Sequence, residues 1–159
     1  MLVTGVFRNF LVITMTPKPF PCAGERGTRP TILLVEDEPF VLDATCRILR
    51  SAGFEVLPAA NAQEAMQAYG ESALKIDLVM TDMVLPGRSG LQLLQDLRHG
   101  APAIAALLTS GYGDVVWDAD SHDSRTYYLA KPYSRGTLVE KIKQILGAVP
   151  LCRAATQNG

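Results

Sequence analysis

Residues 76–90 read IDLVMTDMVLPGRSG. Ile76 to Thr81 make a short apolar run, Asp82 stands at its end, and Pro86-Gly87 breaks the chain shortly beyond. An apolar run of this length, closed by a turn signal, predicts a strand buried on both faces of a parallel sheet. Asp82 then lies where a rigid strand leaves the core, with a loop giving access to it.

The same grammar repeats on either side. TILLV at 31–35 predicts a strand running into Glu36-Asp37. Residues 38–52 carry Val41, Ala44, Ile48 and Leu49 on one helical face, and Gly53 is a plausible stop. FEVLPA at 54–59 predicts a second strand, and Asn61 caps a helix to about Gly70. Ser89 to about His99 is helical, with Leu91, Leu94 and Leu97 among its apolar positions. IAALLTS at 104–110 and TYYLA at 126–130 are further strands, and Leu138, Ile142 and Ile145 mark the last helix. Strands alternating with amphipathic helices imply an α/β fold: a doubly wound five-stranded parallel sheet, order 2-1-3-4-5, in three α/β/α layers. One segment fits poorly. GYGDVVWDADSHDS at 111–124 should hold the fourth helix, yet it carries four Asp and two Gly, so that helix is expected to be short, frayed or displaced.

The chain has 159 residues, 48% of them hydrophobic, enough for one domain with a real core and too few for two. A formal net charge of -1 offers no electrostatic footprint for nucleic acid or an anionic membrane. The three cysteines, Cys22, Cys46 and Cys152, are far apart and odd in number, which fits a reducing cytoplasm better than a disulfide framework. His99 and His122 are isolated and show no metal-ligand spacing. The apolar start MLVTGVFRNFLVITM is interrupted by Arg8 and Asn9 and is shorter than a membrane span needs. A Pro- and Gly-containing stretch follows it. Residues 1–29 therefore read as a poorly ordered extension and linker, 30–149 as the domain, and 150–159 as a short tail with no output domain.

Open α/β sheets bind ligands outside the carboxyl ends of their strands. There the sequence places Glu36-Asp37 with Glu38 next, then Asp82, Thr109-Ser110 and Lys131. Each has a plainer explanation when taken singly. Asp37 or Glu38 could cap the first helix, Asp82 could end a strand before a turn, and Lys131 could be a solvated loop residue. Thr109 or Ser110 could bond a nearby backbone group. Together they point to chemistry. Crowded carboxylates repel unless a cation joins them, and oxygen donors favour a hard divalent ion such as Mg²⁺. An ammonium and a hydroxyl suit an anion, so the set is suited to holding a metal and a phosphoryl group on Asp82.

ILLVEDEP, LVMTDMVLPGRSG, LLTSGY and YLAKPY resemble, in order, the strand-end motifs of response regulator receiver domains of two-component systems, a CheY-like superfamily of flavodoxin-like fold. The resemblance runs from about Thr31 to Ala148. It implies that Asp82 is the phosphoacceptor and Lys131 its phosphate-pairing lysine. Glu36 and Asp37 would organise Mg²⁺ (or Mn²⁺), with Asp82 and the Val84 backbone carbonyl as further ligands. Ser110, or alternatively Thr109, would be the switch hydroxyl, and Tyr128 the aromatic switch. Without the resemblance, Tyr128 beside Tyr127 reads as ordinary packing. SGY with KPY resembles receivers associated with hybrid sensor kinases. Such a protein is not an enzyme in the usual sense: it takes its own phosphoryl group and loses it by autodephosphorylation. The implied partners are a sensor histidine kinase or histidine phosphotransfer protein and a downstream protein. No direct nucleic acid or membrane contact is implied, the location is cytoplasmic, and the chain is a monomer or weak homodimer.

Three rivals remain on the same residues. A haloacid-dehalogenase-type phosphatase shares the Asp, hydroxyl, Lys and Mg²⁺ set, but it places a second Asp two residues after the nucleophile, where this chain has Val84. A phosphorylation-independent interaction module would not need the acidic pair, Asp82 and Lys131 together. A flavodoxin-like cofactor protein would want backbone donors and hydroxyls after the first strand, where this chain is acidic.

Overall fold

Thr31–Val35 is buried at every position, which leaves it one place only, the interior of a sheet covered on both faces. The computed structural model of the chain describes residues 29–71, 76–111 and 124–148. This first strand, β1, pairs in parallel with β2 (Glu55–Ala59) on one side and β3 (Leu78–Asp82) on the other. β3 pairs in parallel with β6 (Ala105–Ser110), and β6 with β7 (Thr126–Ala130). The order β2-β1-β3-β6-β7 is the expected 2-1-3-4-5. The labels shift because two short strands intervene, β4 (Val84–Leu85) and β5 (Arg88–Ser89), which form a separate antiparallel hairpin. Its two-residue loop is Pro86-Gly87, with Gly87 at φ +73, the arrangement in which Pro sets the first turn position and Gly takes the left-handed second. The sequence suggested only a turn here. Pro58, which has no N–H to donate, sits in β2 at the edge of the sheet, where it is tolerated.

The helices α1 (Pro39–Ser51), α2 (Ala62–Glu71), α3 (Gly90–Gly100) and α4 (Arg135–Ala148) cover both faces. Leu33, Val35 and Val79 pack with Ala65 of α2 and with Leu93, Leu94 and Leu97 of α3. Ile32, Leu34 and Met80 pack on the other face with Cys46 and Leu49 of α1 and with Leu138, Ile142 and Ile145 of α4. These are the two cores of a doubly wound sandwich.

Element boundaries move slightly from expectation. β3 begins at Leu78, because Asp77 turns its carboxylate back to the Thr31 amide at 2.8 Å, and it ends on Asp82 itself. Gly53, at φ +96, follows α1 as expected, and its N–H closes on the Arg50 carbonyl. Asn61 caps α2 as expected: its Oδ1 accepts from the Glu64 amide at 2.9 Å, and Glu64 returns a bond to the Ala60 amide. The expected poorly ordered extension, the 150–159 tail and, save for its end residues, the 111–124 segment lie outside the described residues.

Candidate functional site

The strand order reverses between β1 and β3, and that crevice brings distant parts of the chain together. Val35 and Thr81 are register partners, so the next residues on each strand, Glu36 and Asp82, leave the sheet side by side. Two strands away, Lys131 follows β7 and its amide donates to the Ser110 carbonyl at 2.7 Å. Its side chain reaches back across β6. The ammonium nitrogen lies 2.6 Å from Asp82 Oδ2 and 3.0 Å from Glu36 Oε2. The side chains of Glu36, Asp82 and Lys131 are 7%, 16% and 25% exposed, so the pairs are largely withdrawn from solvent and weakly screened. Burial is the largest influence on Lys131 and alone would lower its pKa. Hydrogen bonds to Asp82 and Glu36, with the charges of both, outweigh it and leave the pKa above the ordinary lysine value.

The carboxyls differ in station. Glu36 is buried in the ion pair, whereas Asp37 is exposed. Glu38 is the N-cap of α1, but its side chain makes no capping bond, so capping does not account for the acidic run. Asp82 is fixed at its backbone. The Met83 amide donates to the Thr109 carbonyl at 2.8 Å, and Thr81 Oγ1 donates to the Asp82 carbonyl at 3.1 Å. Asp82 Oδ1 stands 3.4 Å from the Val84 amide.

Among the described residues no three His, Cys, Asp or Glu side chains are already gathered at metal-holding distances. The donor chemistry nevertheless fits a hard cation. The available donors are all oxygen, one ammonium is shared by the carboxylates of Glu36 and Asp82, and a third carboxylate, Asp37, follows Glu36 in the chain and is open to solvent.

Thr109 and Ser110 separate clearly. Asp82 and Thr109 are register partners, and Thr109 is 2% exposed with its hydroxyl 3.5 Å from the Thr81 carbonyl. Ser110 is half-buried at the end of β6. Leu108 pairs with Tyr128, and side chains alternate along a strand, so Ser110 and Tyr128 share a face and Thr109 lies on the other. The Tyr128 hydroxyl is withdrawn from solvent, and burial pushes its pKa up to about 12 against the opposing charge of Arg98. Sequence reasoning did not mark the exposure of two apolar side chains near the acidic residues in the chain: Phe40 (85% exposed) in the first turn of α1, and Val84 (60% exposed), named there for its carbonyl, two residues past Asp82. Neither has a periodic signal, because Phe40 lies in the first turn of α1 and Val84 in the two-residue strand β4.

Residues 32–143 match the model for the response regulator receiver domain. The chain is 35% identical over 117 residues to the sensor kinase CckA of Brucella abortus, covering 73% of this chain and 12% of that protein. It is 28% identical to the sensory transduction protein RegX3 of Mycolicibacterium smegmatis, covering 73% of this chain and 50% of that one. The chain thus spans half or less of these two relatives. Among solved structures, the receiver domain of the hybrid histidine kinase CckA superposes with a TM-score of 0.63 at 36% identity, covering 73% of this chain and 98% of that domain. A receiver domain protein from Clostridium thermocellum gives a TM-score of 0.68 at 28% identity, covering 74% and 94%. With its carboxylates, hydroxyl and lysine at the strand ends of this sheet, the chain belongs to the response regulator receiver domain family of two-component signalling.

Proposed function

We propose that Asp82 accepts a phosphoryl group from a phosphohistidine on a sensor histidine kinase or histidine phosphotransfer protein. The observation that carries this reading is the Lys131–Asp82 pair at 2.6 Å, which sets a cation on the oxygen that would attack or bear the phosphoryl group. An Asp82 carboxylate oxygen forms a bond to phosphorus as the phosphorus–nitrogen bond breaks, and the imidazole leaves with the bonding electron pair. The Lys131 ammonium moves from the carboxylate to a phosphoryl oxygen, and the Ser110 hydroxyl donates to another. Glu36, Asp37, Asp82 and the Val84 carbonyl are the groups that would hold Mg²⁺ or Mn²⁺, which when bound neutralises negative charge on the phosphoryl oxygens.

Ser110 and Tyr128, on one face of adjacent strands, form the switch. Drawing Ser110 toward the phosphoryl group empties space on Tyr128's side of the sheet, and the ring's position reports the state to a downstream protein. The chemistry at Asp82 is the same whether the receiver acts alone or joined to other domains. No helix among the described residues is long and apolar enough to cross a membrane. A cytoplasmic location is proposed because the donor's phosphohistidine would have to be reached there. The test is transfer from a phosphorylated histidine donor to wild type and to Asp82→Asn. Transfer to wild type alone supports the reading, and equal labelling of both overturns it.

A further inference from the structure

Gly90 opens α3 directly behind Asp82. A Cβ at Gly90 would lie 2.2 Å from the Asp82 carbonyl oxygen, and 3.1 Å from both the Asp82 carbonyl carbon and Thr81 Cγ2. The closest obstacle is main chain, which cannot swing aside as the end of a side chain can. Gly90 does not need glycine for its own backbone angles, since the positive-φ glycines among the described residues are Gly53 and Gly87. Gly87, in the same loop, is the opposite case: a left-handed conformation with nothing within 4 Å of a Cβ. Space alone demands glycine at position 90, and the space is that beside the Asp82 peptide.

The helix end that occupies it is tied down. The Gly90 amide donates to the Met83 carbonyl at 2.9 Å. Ser89 Oγ accepts from the Gln92 amide, and the Gln92 side chain returns a bond to the Ser89 amide. Arg88, just before, pairs with Asp96 on the same helix. The start of α3 is therefore a fixed surface against which the Asp82 peptide rests.

We infer that Gly90 is a positioning residue for the phosphoacceptor: the first turn of α3 seats on the Asp82 main chain at a distance only glycine allows, and so fixes where the Asp82 carboxylate meets Lys131. The inference rests on the reading of Asp82 as phosphoacceptor. A methyl group at 90 displaces either the helix or the Asp82 peptide. Displacing a reacting group by about 1 Å costs on the order of 100-fold in rate.

The experiment follows modification of the full chain by acetyl phosphate with Mg²⁺, using intact mass against time at saturating donor. It compares wild type, Gly90→Ala and Leu97→Ala. Leu97 is buried in the same helix–sheet contact, away from Asp82, so its truncation costs stability without moving the peptide. Expected are a first-order rate constant for Gly90→Ala lower by on the order of 10- to 100-fold and one for Leu97→Ala equal to wild type. A purely structural glycine would lower the fraction of protein that can be modified and leave the rate constant of the folded molecules alone. A wild-type rate constant in Gly90→Ala, or an equal slowing in Leu97→Ala, overturns the inference. If Gly90→Ala does not fold, Ser89→Ala decides, because it loosens the same helix end: slowing is expected, and a wild-type rate overturns. Failure of the underlying reading looks different, as unmodified wild type.

Discussion

The ammonium of Lys131 lies 2.6 Å from the carboxylate of Asp82 although 49 residues separate them in the chain. The same nitrogen bonds Glu36, whose side chain is 7% exposed. Replacing Lys131 with Met leaves a nearly buried carboxylate without its cation. The expected cost is about 2 kcal/mol of stability at neutral pH without divalent ions, read from urea denaturation. Phosphoryl acceptance by the same variant should slow as well. Unchanged or increased stability would contradict the role given to this pair.

The direction of the Lys131 shift sets an alkaline limit. Its folded pKa is raised, so the folded chain keeps this proton to higher pH than the unfolded chain does. The pair's contribution is whole below the ordinary lysine value of about 10.4 and is lost as pH rises through the folded pKa. Tyr128 acts in the same sense. Burial raises its pKa to about 12, so ionisation favours the unfolded chain from about pH 10 upward. Stability should therefore fall between about pH 10 and about pH 12, and Tyr128→Phe should fall less steeply. Denaturant midpoints across that range test this, and identical slopes for the two proteins would contradict it.

Thr109 and Ser110 are adjacent but should respond differently. Thr109→Val removes a buried hydroxyl that faces the Thr81 carbonyl and keeps the shape, so it should cost about 1 kcal/mol in stability and leave coupling intact. Ser110→Ala should leave the fold and the modification of Asp82 in place while suppressing the change in the Tyr128 amide resonance on phosphorylation. Loss of that change in Thr109→Val but not in Ser110→Ala would reverse the assignment.

Much of this was visible in the chain because a strand buried on both faces must be apolar throughout, as Ile32 to Val35 and Leu78 to Met80 are. Leu138, Ile142 and Ile145 face the core because a helix repeats its face at that spacing. The strand-end residues were legible because a parallel sheet sends every strand to the same edge. What escaped had no periodicity or depended on tertiary contact. The β4–β5 hairpin has only two residues in each strand, too few to show alternation. Glu36 and Asp37 are equivalent as letters, yet one is buried in an ion pair and the other exposed, a difference made by the Lys131 side chain arriving from β7. Gly90 reads as an ordinary glycine near a helix start, and only the folded chain reveals the Asp82 carbonyl against it.

The most direct measurement is the intact mass of wild type and Asp82→Asn after incubation with acetyl phosphate and Mg²⁺, with and without EDTA. Expected is an increment of one phosphoryl group on wild type, absent from Asp82→Asn and lost with EDTA. An equal increment on Asp82→Asn, or a folded wild type that takes no phosphoryl group from either acetyl phosphate or a phosphohistidine donor, would contradict the role assigned to Asp82.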